Sequence, residues 1–181
     1  GAFAKLNKFG LGDSTIWLMR CDEHGKSVSE AEFPGRRPSI CPLSNGLFAM
    51  VYDSNTTIET DIRIRGVSLD LQTKWDHAAS LSGFGFDSAA IAALPSGNGF
   101  VIAGGNINKT EKAPNLECQL CQFDNNGQIL RREVVQVAPK TTLNPKVCCG
   151  NSLYFSIQTK GRVPWDSLEA GVFKSTYKSS N

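Results

Sequence analysis

Leu94-Pro95-Ser96-Gly97-Asn98-Gly99-Phe100-Val101-Ile102-Ala103-Gly104-Gly105, followed after a polar stretch by Leu116-Glu117-Cys118-Gln119-Leu120-Cys121-Gln122-Phe123-Asp124-Asn125-Asn126-Gly127-Gln128-Ile129-Leu130, decides the fold. The segment reads as a turn, an apolar strand, a loop, a second strand ending in Phe-Asp, another turn and a third strand. Asn125-Asn126-Gly127 supplies side chains that accept positive φ, as a tight hairpin turn requires. Apolar residues here do not recur at i, i+3 and i+4, so the helical period is absent. The strands are rich in Val, Ile, Phe and Tyr, which fit a pleated surface.

The same grammar recurs on either side. Pro42-Leu43-Ser44-Asn45-Gly46 precedes a strand from Leu47 to Tyr52, and Ile62 to Leu69 ends in Asp70 and runs on to Trp75. Gly46 and Gly99 are 53 residues apart, and Asp70 and Asp124 are 54 apart. Near the start, Ile16 to Cys21 ends in Asp22 with the turn Glu23-His24-Gly25, 48 residues before Asp70. Near the end, Gly150-Asn151-Ser152 precedes Leu153 to Ile157, and the last strand runs from Gly171 to Tyr177. A period of about fifty residues with several short strands per unit is the signature of a β-propeller-type array. A β-sandwich or another β-solenoid is the alternative.

The expected fold is therefore all-β, a β-propeller-type array of four-stranded antiparallel blades in one domain spanning residues 1–181. The second and third units look whole, with first strands near Ser39–Leu43 and Ala89–Leu94 and last strands near Thr73–Leu81 and Gln128–Val137. The first unit begins at its second strand, Ala2 to Leu6, and the last ends at its third. That makes about three and a half blades, where a closed ring usually needs at least about four. Three accounts fit: a piece of a longer propeller, which is favoured, a ring finished by a second chain, or an irregular four-bladed ring.

The string SGNGFVIAGG…LCQFDNNGQIL resembles the repeats of large bacterial surface and secreted propellers, which often read DGGFxxAG and then LxxLDxxGxxxW. Val67-Ser68-Leu69-Asp70-Leu71-Gln72-Thr73-Lys74-Trp75 is similar to the tryptophan-docking motif of quinoprotein-type propellers. The chain departs from those patterns in two places. Thr73 stands where Gly25 and Gly127 are expected to hold the turn in the other units, and only the second unit carries the closing Trp. The resemblance implies architecture, and function varies widely within such architectures.

Composition excludes some partners. Lys and Arg total 19 against 17 Asp and Glu, a formal net charge of +2, so the strong basic excess of a nucleic-acid binder is missing. No stretch approaches the roughly 18 consecutive apolar residues of a membrane-spanning helix. Six cysteines invite a metal or redox reading, and Cys118 and Cys121 have C-x-x-C spacing. On a strand, however, positions three apart face opposite sides. Cys21, Cys41, Cys118 and Cys121 also each replace an apolar residue of another unit. Core thiols are the expectation, with a disulfide or a metal as alternatives. No cofactor is called for.

Catalytic constellations are thin. His24 falls in a turn, and Asp76 and His77 are strand neighbours whose side chains diverge, so no Ser-His-Asp arrangement or His-based metal site is supported. Glycoside hydrolysis needs two carboxylates facing one cleft, and acids near or in loops include Asp53, Asp61, Asp76 and Asp166, none in a recognisable motif. Asp22, Asp70 and Asp124 are read as turn acids that accept backbone N–H bonds. Arg63 and Arg65, two apart, share a strand face; Arg36-Arg37 and Arg131-Arg132 read as solvated pairs, the first between blades.

The loops between second and third strands, Asp53–Asp61, Gly104–Asn115 and Thr159–Glu169, are the expected functional surface, because loops on a rigid scaffold commonly carry binding. The last holds Arg162, Trp165 and Asp166, a set suited to stacking on a sugar or gripping a peptide; packing of Trp165 under its own loop is the competing account. Two sequons, Asn55-Thr56-Thr57 and Asn108-Lys109-Thr110, lie in these loops. The leading expectation is a non-catalytic binding or scaffold module for a protein or glycan partner, and the rival is a glycan-active hydrolase or lyase with acids drawn from several blades.

Overall fold

A computed structural model describes residues 2–6, 14–54, 60–83, 89–108, 115–135, 141–149, 153–160 and 169–175 of the chain. Among them there is no helix, and fourteen strands form four antiparallel sheets. The first sheet comprises β1 (Ala2–Leu6), β2 (Ser14–Cys21) and β3 (Ser27–Pro34). The second comprises β4 (Arg36–Pro42), β5 (Phe48–Asp53), β6 (Thr60–Val67) and β7 (Thr73–Gly83). The third comprises β8 (Ala90–Ala93), β9 (Phe100–Asn108), β10 (Asn115–Phe123) and β11 (Ile129–Val135), and the fourth β12 (Thr141–Cys149), β13 (Leu153–Lys160) and β14 (Glu169–Ser175). Each sheet is a meander whose strands lie side by side in chain order. The two whole units and the two three-stranded units expected from the repeat are all present.

Successive sheets pack face to face, and this explains why their middle strands read as unbroken apolar runs rather than alternating ones. In β5, Ala49 and Val51 enter a core shared with Phe100, Ile102, Cys121 and Phe123 of the third sheet. Met50 and Tyr52, on the opposite face, pack with Ile16 of the first sheet. In β9 the division repeats: Phe100 and Ile102 face the second sheet, while Val101 and Ala103 face Leu120 and Val147. The outer strand β3 instead alternates between exposed and partly covered positions.

Trp75 ties the second sheet to the third. Its ring lies over Gly66, where an added Cβ would come within 2.2 Å of the indole, and against Gly127, where it would come within 2.9 Å. It stacks on Phe100 at 6.1 Å, which stacks on Phe123 at 5.1 Å. The tryptophan singled out in the sequence therefore docks on the following sheet.

The hairpin turns correct one part of the repeat alignment. At Asp22, the Gly25 N–H donates to the Asp22 carbonyl and the Asp22 N–H to the Lys26 carbonyl, with Gly25 at φ 78°. The carboxylate accepts from the backbone N–H groups of His24 and Lys26, both at 2.9 Å. Asp124 repeats every element, accepting from Asn126 and Gln128 at 2.8 Å, with Gly127 at φ 78°. Asp70 does not. In the second sheet Ser68 holds that position: its hydroxyl accepts from the Gln72 N–H at 3.2 Å, and Leu71, at φ 61°, stands where the other turns have glycine. Asp70 lies inside the turn and is exposed, and Thr73 already belongs to β7. The frame slips by two residues, and the hairpin survives with different chemistry.

Leu71 shows why. A non-glycine residue in the left-handed region costs about 1–2 kcal/mol. The Leu71 side chain is buried against Leu18 and Val67 in the core between the first two sheets, a gain of about 2 kcal/mol. Packing offsets the strain.

Candidate functional site

The two ends of the stacked sheets differ in chemistry. At the end carrying the turns after β4, β8 and β10, neutral groups clamp neighbouring sheets: the Asn125 amide donates to the Ser44 hydroxyl at 3.1 Å and to the Gly97 carbonyl at 2.9 Å. At the opposite end, where β5 and β9 run out and β4 begins, lie Asp53 and Ser54, two of the three buried polar residues among those described; the third, Gln119, sits in the middle of β10 opposite Gly104. The loops expected to carry function leave the sheets at that end.

Asp53 closes β5 and pairs across the ladder with Arg36. Its position continues the row of Ala49 and Val51, so it faces the gap between the second and third sheets. It is 1% exposed, and its Oδ2 receives Arg37 Nε at 2.5 Å, Arg37 Nη2, and Arg36 Nε at 3.8 Å. Burial pushes the carboxyl above its ordinary value, and the Arg37 and Arg36 guanidiniums pull against that without cancelling it. Arg37 reaches the carboxylate from a backbone at φ 51°. The pair Arg36-Arg37 thus lies within β4, half-buried on an acid, and is neither a link between sheets nor a solvated pair.

A second cluster occupies the other face of the same sheet. Asp76 of β7 accepts on Oδ1 from Arg63 Nε and Nη2 at 2.9 and 2.7 Å, and on Oδ2 from Arg65 Nε at 2.8 Å. The Tyr52 hydroxyl donates to Oδ2 at 3.2 Å and accepts from Arg65 at 3.0 Å. Arg65 is held between two rings, 4.4 Å from the Phe33 centroid and 5.2 Å from that of Tyr52. Burial alone would raise the Asp76 carboxyl, but hydrogen bonds from Arg65 and Arg63 outweigh it and hold it below the usual carboxylate range. Arg63 and Arg65 share a face as the sequence indicated. Asp76 and His77 diverge, with His77 stacked on Trp75 at 5.7 Å and its Nε2 3.3 Å from the Asn126 carbonyl.

Each acid is therefore matched by two arginines. Asp53 is sealed from solvent, and Asp76 is engaged on both oxygens. The two clusters together hold four guanidiniums and two carboxylates. Among the described residues no group of three His, Cys, Asp or Glu side chains is placed to hold a metal ion. Arg131 lies on β11, exposed and paired with Glu133.

The residues picked from the sequence, Arg162, Trp165 and Asp166, lie outside the described residues, as do 55–59 and 109–114 of the other two loops. The thiols divide. Cys41 and Cys121 are buried as expected, and Cys41 is pushed up to about 12 by burial and by Cys149 nearby. Cys21 is exposed, against expectation: the equivalent Phe123, beyond the same ladder irregularity, is buried against the second sheet, whereas no described sheet covers the face of the first sheet opposite Ile16 and Leu18. Asp53 ends β5 at the edge of its loop, whereas Asp76 lies within β7. The sequence carried one signal for this site: acids and arginines inside otherwise apolar strand runs. No helix is long and apolar enough to cross a membrane among the described residues. No protein-family model matches the chain, and comparison with curated proteins finds no similar sequence.

Proposed function

We propose that the four sheets are blades of a β-propeller-type array, about three and a half in this chain, and that the chain is a non-catalytic binding or scaffold module. Its rigid sheets present the loops at the charged end to a protein or glycan. Four consecutive meanders stacked face to face, with a tryptophan docked between the second and third, support the propeller reading. The observation that carries the functional reading is the neutralisation of Asp53 and Asp76, each by two arginines. Such a set rigidifies and attracts anions, while Asp53 is sealed from solvent and Asp76 is engaged on both oxygens. Arg162, Trp165 and Asp166 form the loop grip, with the indole as the stacking surface. A second chain or further blades would complete the ring.

A glycan array combined with thermal-shift screening tests the reading. The expected result is a ligand that raises the unfolding temperature without being turned over, with binding weakened at least about tenfold in Trp165→Ala, the cost of one lost aromatic contact. Hydrolysis of a model glycoside, lost when one loop acid is changed to Ala, would replace the module with the glycan-active hydrolase or lyase.

A further inference from the structure

The Arg36–Arg37 pair holds donors that its acid does not use. β4 touches β1 on one side and β8 on the other, so it lies between the first and third sheets. Among the described residues, every nitrogen that approaches Asp53 converges on one oxygen, Oδ2. Arg37 Nε, Arg37 Nη2 and Arg36 Nε point at that oxygen, and no other nitrogen of the two guanidiniums has a hydrogen bond among the described residues. The arginine side chains are 25% and 24% exposed, so a ligand reaches them from solvent.

Planar oxyanions match the fork of an arginine, and two guanidiniums over one carboxylate leave one positive charge for them. We propose that Arg36 and Arg37 form an anion subsite that takes a carboxylate or sulfate group of an acidic oligosaccharide. The inference rests on the binding-module reading above and sharpens it to a ligand class. A formal net charge of +2 supplies no extended basic field for a phosphate backbone. One localised charge, at the end of the sheets from which the Trp165 loop leaves, suits a sugar chain with separated acidic groups.

Calorimetric titration of the full chain with tetragalacturonate, a heparin-derived tetrasaccharide and neutral maltotetraose tests this and separates carboxylate from sulfate. At least one acidic probe is expected to bind about tenfold tighter than maltotetraose, with that preference lost in Arg37→Gln, since a charge-assisted hydrogen bond is worth about 1.5–3 kcal/mol. Arg36→Gln is expected to weaken acidic-probe binding similarly; it makes only a 3.8 Å ion pair and so reports even where Arg37→Gln fails to fold. Arg131→Gln, on an outer strand, is expected to change nothing. Equal binding of acidic and neutral probes, or unchanged acidic-probe affinity in a folded Arg36→Gln chain, overturns the subsite. If a neutral glycan or a protein still binds, the subsite alone fails; if nothing binds across the array either, the module fails with it.

Discussion

Asp53 and Asp76 lie on strands of one sheet, each faced by two arginines, yet their carboxyls are displaced in opposite directions. The count of charges is the same; the number of usable hydrogen bonds is not. Asp76 is partly open to solvent and accepts on both oxygens, from two guanidiniums and a phenol. Asp53 is sealed from solvent and engaged on one oxygen, so desolvation outweighs its ion pairs. Charge proximity alone does not set which form of a buried acid the fold prefers; the balance of desolvation against hydrogen bonding does.

The sharpest way to break that comparison is to remove each charge. Asp76→Asn strips the anchor from Arg65, which is 11% exposed between two rings, and should destabilise the chain by about 2–3 kcal/mol, below the full cost of a buried pair because Arg63 rehydrates. Asp53→Asn should cost about 1 kcal/mol or less, because loss of the ion pairs is offset by relief of an undercompensated buried charge. Urea unfolding of both variants checks this, and equal losses would break the comparison.

Acid titration gives the same contrast a smaller, signed readout. The depressed Asp76 pKa contributes stability that is present above the unfolded value of about 3.9 and is lost as pH falls through the folded value. The raised Asp53 pKa works the other way: its contribution is most favourable below about 3.9 and declines as pH rises through the folded value. Urea midpoints measured from pH 3 to pH 7 should therefore rise less steeply in Asp76→Asn than in the parent chain, and more steeply in Asp53→Asn. Parallel profiles in all three proteins would contradict the assigned directions.

The sheets were legible because a strand covered on both faces must be apolar throughout and its tight turns need particular residues, so Phe48–Asp53 and Phe100–Gly104 announced themselves. The exact frame of the repeat was not. Asp70 looked equivalent to Asp22 and Asp124 by letter, whereas Ser68 supplies the same acceptor one atom shorter and two residues earlier. Sequence spacing also could not reveal that Arg37 would turn into the left-handed region to meet Asp53, since nothing in Arg36-Arg37-Pro38 marks it.

The turns offer the smallest and most local contrast. Gly25 and Leu71 occupy the same left-handed position of two hairpins, one with open space around it and the other with its side chain in a core. Gly25→Ala meets no neighbour within 4 Å, so its expected cost is backbone strain alone, about 1 kcal/mol. Leu71→Gly removes that strain but gives up about 2 kcal/mol of burial against Leu18 and Val67, for a net loss of about 1 kcal/mol. Both variants should thus lower stability, though one relaxes the backbone and the other strains it. If Leu71→Gly instead stabilised the chain, the packing of that side chain between the first two sheets would be worth less than the turn it distorts, and the reason for a leucine at a glycine position would be lost.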